Sequence, residues 1–419
     1  MLSHEGIPLA VIRRLRSAMV MVFALSLMSV AAAQQPAQLV ITNVRVFTGA
    51  RVIDRATITV ADGKILSIAA TPPARASVTI DGTGKTALPG LIDVHVHMLA
   101  GVTEADTRTF VATALKEKLQ AFLRHGVTTV KSASDPTDLI FGIRQDLRDG
   151  TLAGPRLLVV GPAFTAPGGH PASTICRGDA WCRANRAAEV DSEEEARREV
   201  RRLAQRGVDA IKVVYSRGEP EFNSFLPKLR LEIVKAIVAE ARSLGLPVTA
   251  HVTEESLALE VLAAGVSGVE HGPNGPLDSD ALARALKSPE RSLVPTLATL
   301  AARTSPSLQL RAQTTAALHE AGVRIVVGTD TRLQMPPGLS TVQEIELLVK
   351  ARLSTEAALK AATSVAARHL GLEKEIGTLE TGMSADILLV RGDPIRNIGD
   401  LHQVDAVVQT GRIVFRPGP

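Results

Sequence analysis

After its first thirty-odd residues the sequence contains no long apolar run, which excludes a chain that crosses a membrane several times. It contains no polybasic tract either. Charges are interspersed, as in Glu193-Glu194-Glu195-Ala196-Arg197-Arg198-Glu199, the pattern of a solvated helix face, so nothing supports nucleic-acid binding. Cysteine is nearly absent: Cys176 and Cys182 are the only two, in a segment rich in Gly, Arg and Asn. No second pair and no nearby histidine completes a tetrahedral zinc set around them. Low-complexity tracts and internal repeats are lacking as well. What the chain does have is apolar content, 45% of 419 positions, enough for a large buried core.

The N-terminus is built differently. Arg13, Arg14 and Arg16 precede an apolar run over 18–28, and the alanines at 31–33 offer small residues ahead of Gln34-Gln35. This is the layout of a secretory signal peptide cleaved after Ala33, the apolar run being short for a membrane span. The expectation is an exported protein, periplasmic or secreted, with no integral membrane domain after cleavage. Loss of three arginines and Glu5 takes the formal charge from +4 to +2. In an oxidising compartment Cys176 and Cys182 are expected to form a disulfide that pins their loop.

From residue 86 onward short apolar runs alternate with helical patterns. Eight such runs stand at 91–97, 128–132, 156–161, 210–214, 247–251, 268–271, 292–296 and 324–330. Strands alternating with helices imply parallel βαβ units, and eight of them make a (β/α)8 TIM barrel. The intervening helices, at 107–125, 192–206 and 231–244, end at Gly126, Gly207 and Gly245, where a helix C-terminus favours glycine. Earlier, 39–42, 57–60, 65–68 and 77–80 read as short antiparallel strands between Gly- or Pro-containing turns. Similar patterns return at 385–390 and 404–415. The expected fold class is therefore α/β: a barrel over 86–372, flanked by a small β-sandwich built from 34–85 and 373–419.

Six polar residues fall at or near the C-terminal ends of the expected barrel strands: His95, His97, Lys212, His251, His271 and Asp330. That edge is where barrel enzymes carry their active sites. His95 and His97 are separated by one residue, so a strand turns both to the same side, where they can grip one metal ion. Singly, His251 or His271 could be a hydrogen-bonded core histidine, Lys212 a snorkelling lysine and Asp330 a loop cap. Together on one rim they read as a site. His125, His319 and His369 read as structural or solvent-facing, and His402 lies away from the rim.

In these stretches the sequence resembles the amidohydrolase superfamily of metal-dependent hydrolases. The matching segments are 89–97, Ala210-Ile211-Lys212-Val213, Ala250-His251-Val252, Glu270-His271-Gly272, Val327-Gly328-Thr329-Asp330 and Gly382-Met383-Ser384-Ala385-Asp386-Ile387. The resemblance implies two divalent metal ions. His95, His97 and Asp330 would hold one, His251 and His271 the second, and Lys212, carboxylated by carbon dioxide, would bridge them. A carbamate has two anionic oxygens where an ammonium has none, and an unpaired ammonium in the apolar strand around Lys212 is costly. Nitrogen and oxygen donors favour zinc, with manganese, cobalt, nickel or iron as alternatives.

The implied activity is hydrolysis of an amide C–N bond in a small dipeptide-like or N-acyl amino-acid substrate. Metals would lower the pKa of a shared water, with Asp330 moving its proton to the leaving group. His170, in Ala166-Pro167-Gly168-Gly169-His170-Pro171, resembles the substrate-polarising or carboxylate-binding histidine of the imidazolonepropionase-like and Xaa-Pro dipeptidase branches. Tyr215, the only tyrosine, and Arg217 are candidates for a substrate carbonyl or carboxylate, standing where the dipeptidases carry a Gly-rich turn. The same centre could hydrolyse lactones, carboxylic esters or organophosphates. A non-catalytic metal-binding scaffold could dispense with Lys212 or Asp330, and this chain keeps both. Homo-oligomer formation is left open by the sequence.

Overall fold

The computed structural model describes residues 37–71, 76–218, 225–275, 277, 280–332 and 335–418. The expected signal segment and its cleavage point lie outside them. The N-terminal strands are β1 (Ala37–Phe47), β2 (Val52–Ala61), β3 (Lys64–Ala69), β4 (Ala76–Asp81) and β5 (Lys85–Pro89). Alternation with helices then begins, through β6 (Leu91–Val96), β7 (Val127–Ser132), β8 (Arg156–Val159), β9 (Ala163–Thr165), β10 (Ala187–Glu189), β11 (Ile211–Val214), β12 (Val248–Val252), β13 (Gly268–His271) and β14 (Ser292–Val294). The chain closes with β15 (Ile387–Arg391), β16 (Val404–Gln409) and β17 (Arg412–Phe415).

The middle strands pair in parallel, as β6-β7-β8 and as β10-β9-β11-β12-β13-β14. Every residue of β6, β7, β11, β12 and β13 is buried, as expected of parallel strands covered on both faces. The strands β9 and β10 are additions to the eight runs expected. The run 324–330, expected as the eighth strand, is not regular within the segment 324–331. It bonds to β14 through Leu293 N–H to Arg324 O (2.9 Å) and to β6 through Val94 N–H to Val327 O (3.0 Å) and Asp330 N–H to His95 O (2.8 Å). Asp330 at φ +55° ends its extended run. A side chain at Gly328 would stand 2.5 Å from Val294 and 2.9 Å from His95 Cβ, so only glycine lets this segment sit between its neighbours.

The helix Glu193–Gln205 shows how local sequence builds the outer layer. The hydroxyl of Ser192 accepts from Glu195 N–H, three glutamates fill the positive first turn, and Ala196, Val200 and Leu203 form the buried stripe. Gly207, at φ +77°, ends it. The helix expected over 107–125 is two helices, Glu104–Thr113 and Leu115–Arg124, broken at Ala114. Thr107, Thr109 and Thr113 all turn their hydroxyls back onto carbonyls four residues earlier, which weakens and bends a helix.

The two chain ends meet in a single eight-stranded sheet, ordered β17-β16-β15-β5-β1-β2-β3 with β4 on β1. Asp62-Gly63 and Thr410-Gly411, each pair at positive φ, make the tight hairpins β2–β3 and β16–β17. The expectation of antiparallel strands throughout is corrected here. After β3 the chain crosses to the far edge of β1, so β4 and then β5 run parallel to it. One face of the sheet forms its own apolar cluster, including Ile41, Val46, Ile58, Leu379, Ile387 and Val408. No helix among the described residues is long and apolar enough to cross a membrane.

Two stability predictions follow from packing. At Gly126 (φ +80°) an added Cβ would lie 2.6 Å from Leu388 of β15, whereas at Gly245 (φ +72°) it meets nothing within 4 Å. Gly126→Ala should therefore cost about 2 kcal/mol or more and Gly245→Ala about 1 kcal/mol, read by urea unfolding. Glu344 is buried and accepts from the N–H groups of Leu297 (3.0 Å) and Ala298 (2.6 Å). Burial nevertheless raises its carboxyl to about 8. A raised acid binds more protons folded than unfolded, so its stabilising contribution, full below its unfolded value near 4.5, is lost as pH rises toward 8. Wild type should lose stability relative to Glu344→Gln between pH 5 and 8, by up to about 1.4 kcal/mol per pH unit, in parallel urea titrations.

Candidate metal centre

All six rim residues expected from sequence come together around one cavity of about 440 Å³. His97 Nε2 lies 2.9 Å and His95 Nε2 3.6 Å from Asp330 Oδ1. The donor atoms of these three residues fall within 4.8 Å of one another. The His251 and His271 rings are 4.4 Å apart, and His271 is 5.1 Å from His95. The Lys212 ammonium presses against the carboxylate of Glu270. Two positive backbone angles make this convergence possible, His271 at +73° and Asp330 at +55°. Glu270 and His271 are adjacent, and strict alternation would send them to opposite faces. The turn at His271 instead lets both approach His95, Glu270 Oε2 at 3.1 Å from its Nδ1.

Asp93, two residues below His95 on the same strand, holds the centre together from beneath. Its buried carboxylate accepts from the N–H groups of His95 and Thr329, both at 3.1 Å, and from the hydroxyls of Thr329 (2.8 Å) and Thr341 (2.9 Å). One side chain thus couples β6, the 324–331 segment and the helix Leu339–Lys350. Beyond the histidines, Asp135 accepts from Met98 and Leu99 N–H at 2.6 and 2.9 Å, and Lys118 donates to His97 O at 2.7 Å.

The electrostatics suit a cation. Burial first, then the positive charge of Lys212, holds His95 well below the usual imidazole value. Burial and the neighbouring His251 and His95 do the same to His271. These imidazoles stay neutral, the state that ligates metal. Burial alone would raise Asp330, but Arg332 at 2.9 Å and the hydrogen bond from His97 outweigh it and keep the acid well below the carboxylate range. Asp330 Oδ1 is buried and faced by two imidazole nitrogens. A divalent ion among the imidazoles of His95 and His97 and the Asp330 carboxylate would satisfy all three donors. Burial, then the charge of Lys131, lowers Lys212 well below the ordinary lysine value.

The remaining expected residues divide. His170 lines the cavity, stacked 5.2 Å from His251 and fixed by Thr174 through Nδ1 at 2.6 Å. Cys176 and Cys182 are joined in a disulfide. Tyr215 and Arg217 are not in the described cavity lining. Lys212 and Val214 line it, so strand alternation turns Tyr215 outward, where its hydroxyl meets Glu260 and Lys228 sits 3.6 Å above its ring. Arg217 is exposed. Sequence reasoning missed Asp93, Glu270, Lys131 and Arg186. Asp93 and Glu270 stand inside the very motifs that carry the histidines. Lys131, buried 3.3 Å from Glu270, shows the same signal as Lys212, a lysine in an apolar strand.

Histidines and a buried aspartate gathered around one cavity are the donor set that a metal-dependent hydrolase uses. The family model "Amidohydrolase family" matches residues 86–414, and the chain belongs to that family, hydrolases of C–N bonds whose members typically use divalent metals. Imidazolonepropionase of Chloroflexus aggregans is 27% identical over 81% of this chain and 85% of its own length. A Xaa-Pro dipeptidase with bound methionine shares the fold at TM-score 0.78 and 24% identity, covering 90% of this chain and all of that one. A prolidase complexed with N-methylphosphonate-L-proline matches at TM-score 0.75 and 25% identity, over 90% of this chain and 100% of its own.

Asp93→Asn keeps the volume but turns an NH2 group toward two of the four donors, the pair that one carboxylate oxygen accepts from. We expect a loss of about 2 kcal/mol or more in stability and at least about tenfold weaker metal retention, measured by urea unfolding and by competition with a chromophoric chelator.

Proposed function

We propose that this protein is an exported, binuclear metal-dependent amidohydrolase that cleaves the C–N bond of a dipeptide-like or N-acyl amino-acid substrate. The observation that carries the reading is the convergence of His95, His97 and Asp330 on one point of a cavity that His251, His271 and Lys212 also line. His95, His97 and Asp330 would hold one ion and His251 with His271 the other, Lys212 lying between them as a carbamate, with zinc the metal that this donor set favours. When bound, such ions lower the pKa of water and polarise a carbonyl.

The protein's own groups supply the rest. Asp330, ionised and buried, accepts the proton of the attacking water and returns it to the leaving nitrogen. Arg332 holds the far oxygen of Asp330, leaving the other toward the histidines. His170, its ring fixed by Thr174, is positioned to donate to the substrate carbonyl or carboxylate. The similarity to an imidazolonepropionase and to a prolidase complexed with N-methylphosphonate-L-proline supports the C–N assignment. In this reading residues 1–33 direct export, the parallel strands of 86–372 close into a (β/α)8 barrel, and the sheet from 34–85 and 373–419 folds as a sandwich beside it.

The experiment is metal analysis of the purified protein combined with hydrolysis of a dipeptide and N-acyl amino-acid panel. Bound divalent metal is expected. Chelation should abolish hydrolysis, and Asp330→Asn should lower kcat by at least about 10³-fold with the circular-dichroism spectrum unchanged. Full activity after chelation, or in Asp330→Asn, would refute the reading.

A further inference from the structure

The cavity has a second chemical character besides the metal centre. Leu99, Val102, Ala133, Ala163, Ile175 and Val214 make its wall apolar, and three cations line it, Lys212, Arg332 and Arg186. Lys212 is against Glu270 and Arg332 is 2.9 Å from Asp330. Arg186 is different. The residue is only 5% exposed, yet its hydrogen bonds are long: 3.2 Å to Leu99 O, 3.4 Å to Gly101 O and Ser134 O, and 3.5 Å to Asp135 Oδ1. Its Nε is buried and finds no partner among the described residues. Charge-assisted pairs normally close to about 2.7–2.9 Å, and elsewhere in this protein Arg144 reaches Asp209 at 2.9 Å and Arg183 reaches Glu189 at 2.8 Å.

The slackness has a cause. Asp135 already accepts from Met98 N–H, Leu99 N–H and the Ser132 hydroxyl at 2.6 to 2.9 Å, so it has little left for Arg186. The backbone that carries Arg186, by contrast, is firmly placed. Ser134 Oγ donates to Arg186 O at 2.7 Å, Thr137 Oγ1 donates to Asn185 O at 2.9 Å, and the disulfide ties Cys182, in the same helix Ala180–Arg186, to the preceding loop. A buried cation on a fixed mount with a poorly matched counter-ion is costly unless another anion shares it. The second acid of the lining besides Asp330, Asp106, is exposed to solvent.

We propose that Arg186 binds the carboxylate of the substrate, which makes the enzyme selective for amides that pair an apolar group with a free carboxylate. This rests on the amide-hydrolase reading above, and it moves carboxylate recognition from Arg217, which is outside the described lining, to the disulfide-pinned helix. Arg186 is a specificity-determining residue; the chemistry at the metals is unaffected by it.

Equilibrium binding tests this, with Asp330→Asn in every protein, including the one that is wild type at position 186, so that hydrolysis of either ligand is suppressed. Isothermal titration of the metal-loaded protein with N-acetyl-L-leucine and with N-acetyl-L-leucinamide should show the acid bound at least about tenfold more tightly. Arg186→Met should erase that preference and leave amide binding unchanged. Arg186→Lys keeps the charge but loses the fork, which safeguards folding, and should cut the preference at least about threefold. Equal binding of acid and amide by wild type, a preference that persists in either variant, or an equal loss for both ligands in Arg186→Met overturns the proposal. If the acid is preferred but no amide is hydrolysed, the carboxylate site stands and the amide-hydrolase reading fails.

Discussion

The geometry of the candidate metal centre depends on one buried carboxylate, that of Asp93, which receives four hydrogen bonds from three separate elements. The strand that carries His95 and His97 and the irregular segment that carries Asp330 lie far apart in sequence and share few regular ladder bonds. Their register is set by Asp93, which takes the amide of His95 with one oxygen and holds Thr329, the residue before Asp330, by both its amide and its hydroxyl. An anion buried this deeply is disfavoured, and burial raises its pKa to about 6 against the pull of these donors. The donors are the return on that cost, and they come from the two segments that must meet. Thr331 continues the arrangement through Ser340 at 2.7 Å, so both flanks of Asp330 are anchored to the same helix.

A second buried group of charges sits under the histidines. Glu270 lies between Lys131 and Lys212 and against His95, all nearly inaccessible to water. Burial lowers Lys131 to about 8. Removing any one charge from such a cluster leaves another uncompensated in a low-dielectric interior, so its members are coupled and cannot be assigned separate energies. Burial and the charge of Lys131 lower Lys212 well below the ordinary lysine value, while the Glu270 carboxylate against it favours the charged form.

Much of this was legible in the sequence, and the failures share a cause. The His-x-His pair was readable because a strand has period two, and the parallel sheet because its runs were apolar on both faces. Gly126, Gly207 and Gly245 marked helix ends correctly. What periodicity could not show was where it stops. Positive φ at His271 and Asp330 breaks the alternation, which is why Glu270 joined the site unannounced and why 324–331 is not a regular strand. Tyr215 was misplaced by the opposite error, proximity to Lys212 in sequence being taken as proximity in space although the two differ by an odd number of residues. Arg186 had no signal at all. Its importance comes from a network spanning the loops after β6 and β7, and no local pattern encodes that.

The sheet made from both chain ends has a temporal meaning. Strand β5 pairs with β15 across some three hundred residues, Leu88 opposite Leu388. Strand β5 is made long before its partner exists, so that edge of it must wait, unpaired, for β15. Closing so long a loop is slow. Strands β15 to β17 therefore act as a clock, and the sheet is finished only when they have been made.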